Sequence, residues 1–428
     1  MTDLVTELMQ FMDTFPVVDA HEHLPAEESR LKQDVDFSTL FSHYCIGDLI
    51  SAGISAEHQN RFYSPKTDPA EKWQIFQPYY DRIHDGSYAR SARIAMKKFY
   101  GFDDLRSEAD ALAVTERVRE ANAAGLYQRV LKDACNLRVS LVFGGHEVDE
   151  RHFRAVEYLS GPCDVRTMND VESMAQFMGY DGIPPTLDRY VDILGEFLAT
   201  RKEDGLAGVK FAYAYQRDLE FPGVTTHDAE RVYDRIFEES QGWRDVVLGF
   251  GEARPLQNYL VHRVVEFCGE LDLPVVFHTG IQAGNENRPD NCRPERLWSL
   301  INRYRGTTFV LLHGGIPWVN EAALLSKYFA NVYLDMTWMH IISPEISRRA
   351  LSAWVDLLPK NKINGFGGDY SVVEKVYGHL VMAKENIAHT LASFVENGAM
   401  TTDEAMQWAK AMLHDNPARI YHLDELGV

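Results

Sequence analysis

Apolar residues in this chain gather into short runs that each end at a polar residue and a turn. Five runs stand out: Pro16-Val17-Val18-Asp19-Ala20-His21-Glu22-His23, Gly208-Val209-Lys210-Phe211, Pro274-Val275-Val276-Phe277-His278-Thr279-Gly280, Phe309-Val310-Leu311-Leu312-His313-Gly314-Gly315 and Ile363-Asn364-Gly365-Phe366-Gly367-Gly368-Asp369. Uninterrupted apolar runs of this length predict parallel strands buried on both faces. Weaker runs predict further strands over 137–143, 153–158 and 331–336, and the Lys210 strand extends over 206–212. Helix-like spacing fills the intervals at 3–14, 186–201, 256–271, 293–303, 320–328 and 343–357, with a helical tail over 371–423. This alternation, with no GxGxxG after a strand, predicts an α/β fold of the (β/α)8 TIM-barrel class rather than a dinucleotide-binding sheet.

Residues 25–132 break the alternation. Helical spacing recurs there over 40–52, 69–77 and 91–100, and Ser107-Glu108-Ala109-Asp110 opens another helix. More than a hundred residues between two barrel strands is no loop. We therefore expect a single domain, 1–428, with a large helical insertion after the first strand, at about 25–132. It leaves from the strand bearing His21 and His23, which predicts a lid carrying polar residues such as His43, Tyr44, Tyr79, Tyr80, Arg82, His84 and Arg90. A second, smaller insertion is expected over 219–246, with a helix near 228–239.

Composition narrows the possibilities. At 428 residues the chain exceeds the roughly 250 of a plain barrel, which leaves room for these insertions. Against 43 Lys and Arg stand 63 Asp and Glu, a formal charge of −20, which excludes nucleic acid and anionic membrane as natural partners. There is no N-terminal apolar leader and no membrane-length run. The cysteines (Cys45, Cys135, Cys163, Cys268, Cys292) are odd in number and without CxxC spacing, as expected of reduced thiols in a cytoplasmic protein.

The chemistry lies at the strand ends. Functional residues of a barrel cluster where strands leave its C-terminal face. Residues i and i+2 of a strand share a side, so His21 and His23 can both face the axis while Glu22 points away. His278 and His313 each follow four apolar residues and precede Thr-Gly or Gly-Gly, and Asp369 follows Gly-Gly. One buried histidine is ordinary packing. Four at strand ends, together with Asp369, point to a divalent metal site.

These segments resemble the amidohydrolase superfamily, most closely its amidohydrolase-related, or type 2, branch. The likeness is carried by His21-Glu22-His23, Phe277-His278-Thr279-Gly280, Leu312-His313-Gly314, Asn331-Val332-Tyr333-Leu334-Asp335, Gly368-Asp369 and the ending Asn416-Pro417-Ala418-Arg419-Ile420-Tyr421. It is dense from Leu206 to His389 and thin between Leu24 and Leu131. The chain is also similar to the amidohydrolase-like domain fused to glutamine-synthetase-like proteins, and more distantly to uronate isomerase. The resemblance implies a metal held by His21, His23, His278 and Asp369, with one ion, zinc before manganese or iron. Such an ion keeps a position open and acidifies a water from about 15.7 toward 7. Asp369 would accept that water's proton and pass it to the leaving group. His313 would bind a second ion or polarise a substrate carbonyl, and Lys210 would be a cation near the substrate rather than a bridging group.

Arg217 and Arg288, with Arg293, lie after the predicted fourth and fifth strands, where a guanidinium can grip a carboxylate. Trp338, Met339, His340 and Tyr370 follow the last two strands and are candidates to line the pocket; Glu252 is a candidate partner for Arg254. The expected activity is metal-dependent hydrolysis of a C–N or C–O bond in a small polar, carboxylate-bearing substrate by a homo-oligomeric enzyme. Decarboxylation of an aromatic or unsaturated acid, isomerisation of a uronic sugar, and a non-catalytic binding module are the alternatives.

Overall fold

The computed structural model describes residues 3–144, 148–239 and 247–428. Eight strands lie in chain order, each parallel to the next: β1 (Val17–Glu22), β2 (Leu137–Phe143), β3 (Phe153–Tyr158), β4 (Gly208–Phe211), β5 (Val275–His278), β6 (Phe309–Leu312), β7 (Val332–Asp335) and β8 (Ile363–Asn364). The seam between the last strand and the first is closed just beyond β8. There the Ala20 amide donates to the Phe366 carbonyl (3.1 Å) and the Asp369 amide to the His21 carbonyl (2.8 Å). The (β/α)8 barrel expected from the apolar runs is the fold.

The strands are apolar because both faces are covered. Inside, Val18, Ala20, Val139, Leu141, Val156, Val276, Val310 and Leu312 form one buried cluster, joined by Ile420, Tyr421 and Leu423 of the C-terminal tail. Outside, Phe211, Val275, Phe277, Phe309, Leu311 and Leu334 pack against the helical ring. The helices Leu187–Glu203, Val319–Tyr328 and Pro344–Leu357 fall within two residues of their predicted bounds.

Two helices differ from expectation. The helix before β5 starts at Phe250, six residues before its expected start at 256, because the Glu252 side chain accepts the Gly249 amide (2.9 Å) as a cap. Glu252 also pairs with Arg235 (3.2 Å), while Arg254 pairs with Asp218, so the two are not each other's partners. The stretch expected as one helix over 293–303 is a 3-10 turn, Pro294–Leu297, opened by proline, followed by the helix Trp298–Arg303. Residues 240–246, the end of the expected second insertion, lie outside the described residues.

Between β1 and β2 run the helices Glu27–Leu31, Cys45–Ser51, Ala56–Tyr63, Pro69–Ile83, Ser87–Tyr100 and Glu108–Ala121. Their starts follow local chemistry: Ser55, Asp68 and Ser107 each accept an amide from the first turn, and Pro69 stands at the first helical position. The helix expected over 40–52 is broken at His43, whose φ of 58° is left-handed. This segment has its own core of Phe37, Phe41, Phe62, Trp73, Phe76 and Met96. It is tied to the barrel by Arg30 and Tyr100, which both meet Glu374 (2.9 and 2.8 Å), and by Ser87, which donates to the Ile341 carbonyl (2.6 Å). All five cysteines are free and buried. No helix of the described residues is long and apolar enough to cross a membrane.

The turn after β6 admits no side chain at Gly314. Its φ is 52°, and an added Cβ would collide with the Trp354 ring and come within 2.7 Å of the Met339 sulfur. Gly314→Ala is expected to cost about 2–4 kcal/mol from overpacking and left-handed strain together. Thermal denaturation should show a clear fall in Tm; an unchanged Tm would mean that the turn relaxes freely.

Candidate metal centre

Three donor atoms from the two ends of the barrel sequence meet in one triangle. His21 is the fifth residue of β1, His23 follows that strand, and Asp369 lies past β8. His21 Nε2 and His23 Nε2 are 3.2 Å apart, and they lie 3.1 and 3.2 Å from Asp369 Oδ1. An ion about 2.0–2.1 Å from each of three tetrahedral donors would space them by roughly 3.3–3.4 Å. The donor types and their spacing therefore fit a divalent ion. His21 and Asp369 are buried, whereas the His23 side chain is 45% exposed, which leaves the triangle open on one side.

Electrostatics favour the ligating forms. Burial, reinforced by Lys210, drives His21 well below its ordinary pKa, so its ring is neutral and offers a lone pair. Burial opposes ionisation of Asp369, but His21 and His23 beside it hold the carboxyl well below the usual carboxylate range.

His278 stands beside this triangle without joining it. Its Nε2 donates to the Ile281 carbonyl (3.0 Å), and its Nδ1 lies 3.2 Å from His313 Nε2. His313 Nδ1 in turn donates to the Thr337 carbonyl (3.0 Å) and is 3.9 Å from Asp369 Oδ2. Burial and Lys210 push His278 down to about 3, and burial lowers His313 as well. With both outer nitrogens donating, two lone pairs face each other across the gap, a place for one shared proton or a cation.

A cavity of about 250 Å³ opens over these groups, lined by His21, His23, His278, His313, Asp369 and Lys210 and by the rings of His43, Tyr44, Phe143, Tyr158 and Tyr215. The Lys210 ammonium lies 5.1 Å from the centre of the Phe143 ring. Burial pushes it down to about 7, against the upward pull of Asp369 and Asp335. Tyr44, from the inserted helices, faces Asp369, and burial with that carboxylate raises its hydroxyl well above the ordinary value. It stacks on Trp338 at 4.1 Å, and the Trp338 ring meets His313 edge-on at 5.4 Å. The insertion thus reaches the cavity through His43 and Tyr44.

Other residues named from the sequence sit elsewhere. Arg217 donates to Gln257 (3.0 Å) and to the Glu220 carbonyl (2.6 Å), away from the cavity lining. Arg288 is exposed, and Arg293 pairs with Asp290 and Glu295. His340 donates to the Gly365 carbonyl (2.9 Å), behind the loop that carries Asp369. In the insertion, Tyr80 and His84 both bind Asp104, and Arg82 binds the Ala52 carbonyl, so these three serve the insertion's own packing. Phe143 and Tyr158 were missed although each is the last residue of its strand, the position that singled out the histidines. Tyr215, Gln216 and Ala283 sit in turns with no sequence signal.

Comparison with known proteins identifies the family and the fold. The family model described as amidohydrolase matches residues 199–423. Protein fluG of Emericella nidulans is 25% identical over 229 residues, 52% of this chain, and the matched part spans 26% of that protein. The uronate isomerase of Thermotoga maritima superposes with a TM-score of 0.79 at 16% identity, covering 98% of this chain and 97% of that one. The glucuronate isomerase of Caulobacter crescentus gives 0.80 at 16% identity, covering 98% and 94%. At such identity these two structures speak for the fold alone.

Protein purified without chelator is expected to carry about one equivalent of a divalent ion by elemental analysis. Replacing His21 and His23 together by alanine should remove it while far-UV circular dichroism stays unchanged. A wild-type protein that neither contains metal nor takes it up on reconstitution would refute the assignment.

Proposed function

We propose, from the premise that this chain belongs to the amidohydrolase family, that it is a metal-dependent hydrolase cleaving a C–N or C–O bond in a small carboxylate-bearing substrate. The observation that carries this reading is the His21, His23 and Asp369 triangle with its 3.1–3.2 Å edges at the wall of an aromatic-lined cavity. Those three residues would hold the ion, zinc before manganese or iron. When bound, a divalent ion supplies Lewis acidity and brings the pKa of a water toward 7.

The chain's own groups do the rest. Asp369 accepts the proton of the attacking water and delivers it to the leaving group, with the Tyr44 hydroxyl orienting its carboxylate. His313, buttressed by Trp338 and tied to the Thr337 carbonyl through Nδ1, polarises the substrate carbonyl in the state that carries on Nε2 the proton shared with His278. Lys210 receives the substrate's negative charge, since no arginine is among the lining residues. The rings of Phe143, Tyr158 and Tyr215 keep water out and favour a flat substrate. At about 250 Å³ the cavity is below the usual 300–1,000 Å³ of small-molecule sites, which argues for a small one. We further take the chain as one catalytic unit in which the insertion at about 25–132 acts as a lid, and place it as a homo-oligomer in the cytoplasm, where its five buried thiols stay reduced.

The second reading is isomerisation of a uronic acid, favoured by the two superposable isomerases, whose likeness spans the inserted helices as well as the barrel. A sugar acid carries hydroxyls on most of its carbons, more polar groups than the three tyrosine hydroxyls, His43 and Gln216 of the lining would match within a cavity of about 250 Å³. That mismatch places hydrolysis first, with decarboxylation of an aromatic or unsaturated acid behind both.

Metal-loaded enzyme tested against amides, lactones, uronates and aromatic acids, with carbon dioxide followed in parallel, separates the three. Hydrolysis of a small amide or lactone is expected, and Asp369→Asn should lower its turnover about a hundredfold or more while retaining some metal. Turnover of a uronate alone, or carbon dioxide release alone, would replace the reading.

Lys210→Met should raise KM for an anionic substrate about tenfold or more, about 1.4 kcal/mol, with metal content unchanged. An unaltered KM would take Lys210 out of substrate binding.

A further inference from the structure

Asp369 occupies a left-handed conformation, one that aspartate visits more often than most residues but does not prefer. Its φ is 58°, and a left-handed backbone costs a side-chain-bearing residue about 1–2 kcal/mol. Something must hold it there. Three consecutive amides of this loop all donate to β1: Gly368 N–H to Asp19 Oδ1 (3.0 Å), Asp369 N–H to the His21 carbonyl (2.8 Å) and Tyr370 N–H to Glu22 Oε2 (2.7 Å).

Two of the three acceptors are carboxyl groups that sequence alternation leaves without a task. Both Asp19 and Glu22 are fully buried. They are in hydrogen-bonding contact with each other, and the Ser140 hydroxyl donates to Asp19 Oδ2 (2.8 Å). No lysine or arginine pairs with either among the described residues, and neither lines the cavity. Two carboxyls without a basic partner are a costly way to fill space, because buried polar groups lose their hydration. They are an effective way to grip amides, since a carboxyl oxygen accepts from an N–H even when the pair shares a proton, and a buried amide left unpaired would be costly. Gly368 is shaped to the same contact, for an added Cβ would run into the Glu22 carboxyl.

We infer that Asp19 and Glu22 are positioning residues, a carboxyl cradle that clamps the amides on either side of Asp369 and so fixes where its carboxylate meets His21 and His23. One strand then supplies two donor atoms of the triangle and the clamp for the third. The loop's carbonyls are held as well: His379 Nδ1 donates to that of Gly368 (3.0 Å), and the His23 amide, just past β1, to that of Tyr370 (3.0 Å). Glu22 is the more informative member, because Asp19 also accepts the His21 amide (3.4 Å) and so serves β1 itself.

This inference rests on Asp369 being part of the metal's ligand set, and cobalt(II) tests the two separately. Chelator competition gives the affinity, and the visible absorption of bound cobalt reports its coordination. Glu22→Ala is expected to weaken cobalt binding about 10–100-fold, the usual effect of losing a group that orients a ligand, and to alter the visible spectrum. Glu22→Gln keeps an oxygen for the Tyr370 amide and a donor for Asp19, so it should stay within about threefold of wild type with the same spectrum. Glu22→Asp keeps the carboxyl but not the reach, folds with less disturbance than the alanine variant, and should also lose about tenfold or more. Wild-type affinity and spectrum in both Glu22→Ala and Glu22→Asp, with cobalt binding still dependent on His21 and His23, would overturn the cradle and leave the metal site standing. A Glu22→Gln variant as impaired as Glu22→Ala would also overturn it, since the amide-accepting oxygen would then not be what matters. Cobalt binding that survives Asp369→Ala undiminished would instead overturn the ligand set beneath the inference.

Discussion

Three electron-rich atoms held within 3.2 Å of one another are the constraint to which the rest of the molecule answers. Two imidazole nitrogens and a carboxylate oxygen that share their lone pairs with no cation or proton repel, and in a flexible chain they would turn apart. Here the barrel forbids it. His21 and His23 sit on one strand, and the segment 365–370 closes the barrel against that strand through hydrogen bonds from Ala20, Asp369 and Tyr370. The left-handed backbone of Asp369 costs about 1–2 kcal/mol. A net of bonds, each worth about 1 kcal/mol, readily offsets it. Closing the last seam of the fold and assembling the donor triangle are one event.

The barrel was legible because its strands are buried on both faces and so must be apolar throughout. The runs over 137–143 and 153–158 match β2 and β3 residue for residue, and strand-end histidines mark the C-terminal face. What lay hidden is what only the closed structure brings together. Nothing in the local pattern says that His278 turns its two nitrogens to Ile281 and His313 instead of to the triangle. Alternation sends Glu22 away from the axis, yet β1 shifts register between Asp19 and Glu22, and its partners lie 348 positions along the chain, at Tyr370. Arg217 carried the right charge at a plausible place, but Gln257, Glu220 and the Phe221 ring claim its guanidinium.

The inserted helices show the same division between local and distant information. The Ser107-Glu108-Ala109-Asp110 opening and the helical spacing from Pro69 announced where two of them begin. Which of their polar residues reach the cavity was not announced, since Tyr80 and His84 look as well suited as Tyr44. The difference is made by His43, whose left-handed backbone interrupts the helical run and turns Tyr44 toward Trp338 and Asp369. With Tyr44 on one side and the β1 carboxyls on the other, Asp369 lies between the insertion and the barrel. A shift of the insertion would therefore be felt at that carboxylate.

That connection bears on what the cavity selects. Its charged groups all gather at one wall, where Lys210 and the donor triangle face each other across the Phe143 ring, and the remaining walls are rings from β2, β3, the turn after β4 and the insertion. A ligand that fits carries its charge at one end and presents flat surface elsewhere, with polar groups only where the Tyr44, Tyr158 and Tyr215 hydroxyls, His43 or Gln216 can meet them. Superposition with sugar-acid isomerases reflects the shared barrel and insertion, which are set by core packing. Selection of the reacting molecule is set by a handful of side chains at strand ends and turns, and fold likeness leaves these free to differ.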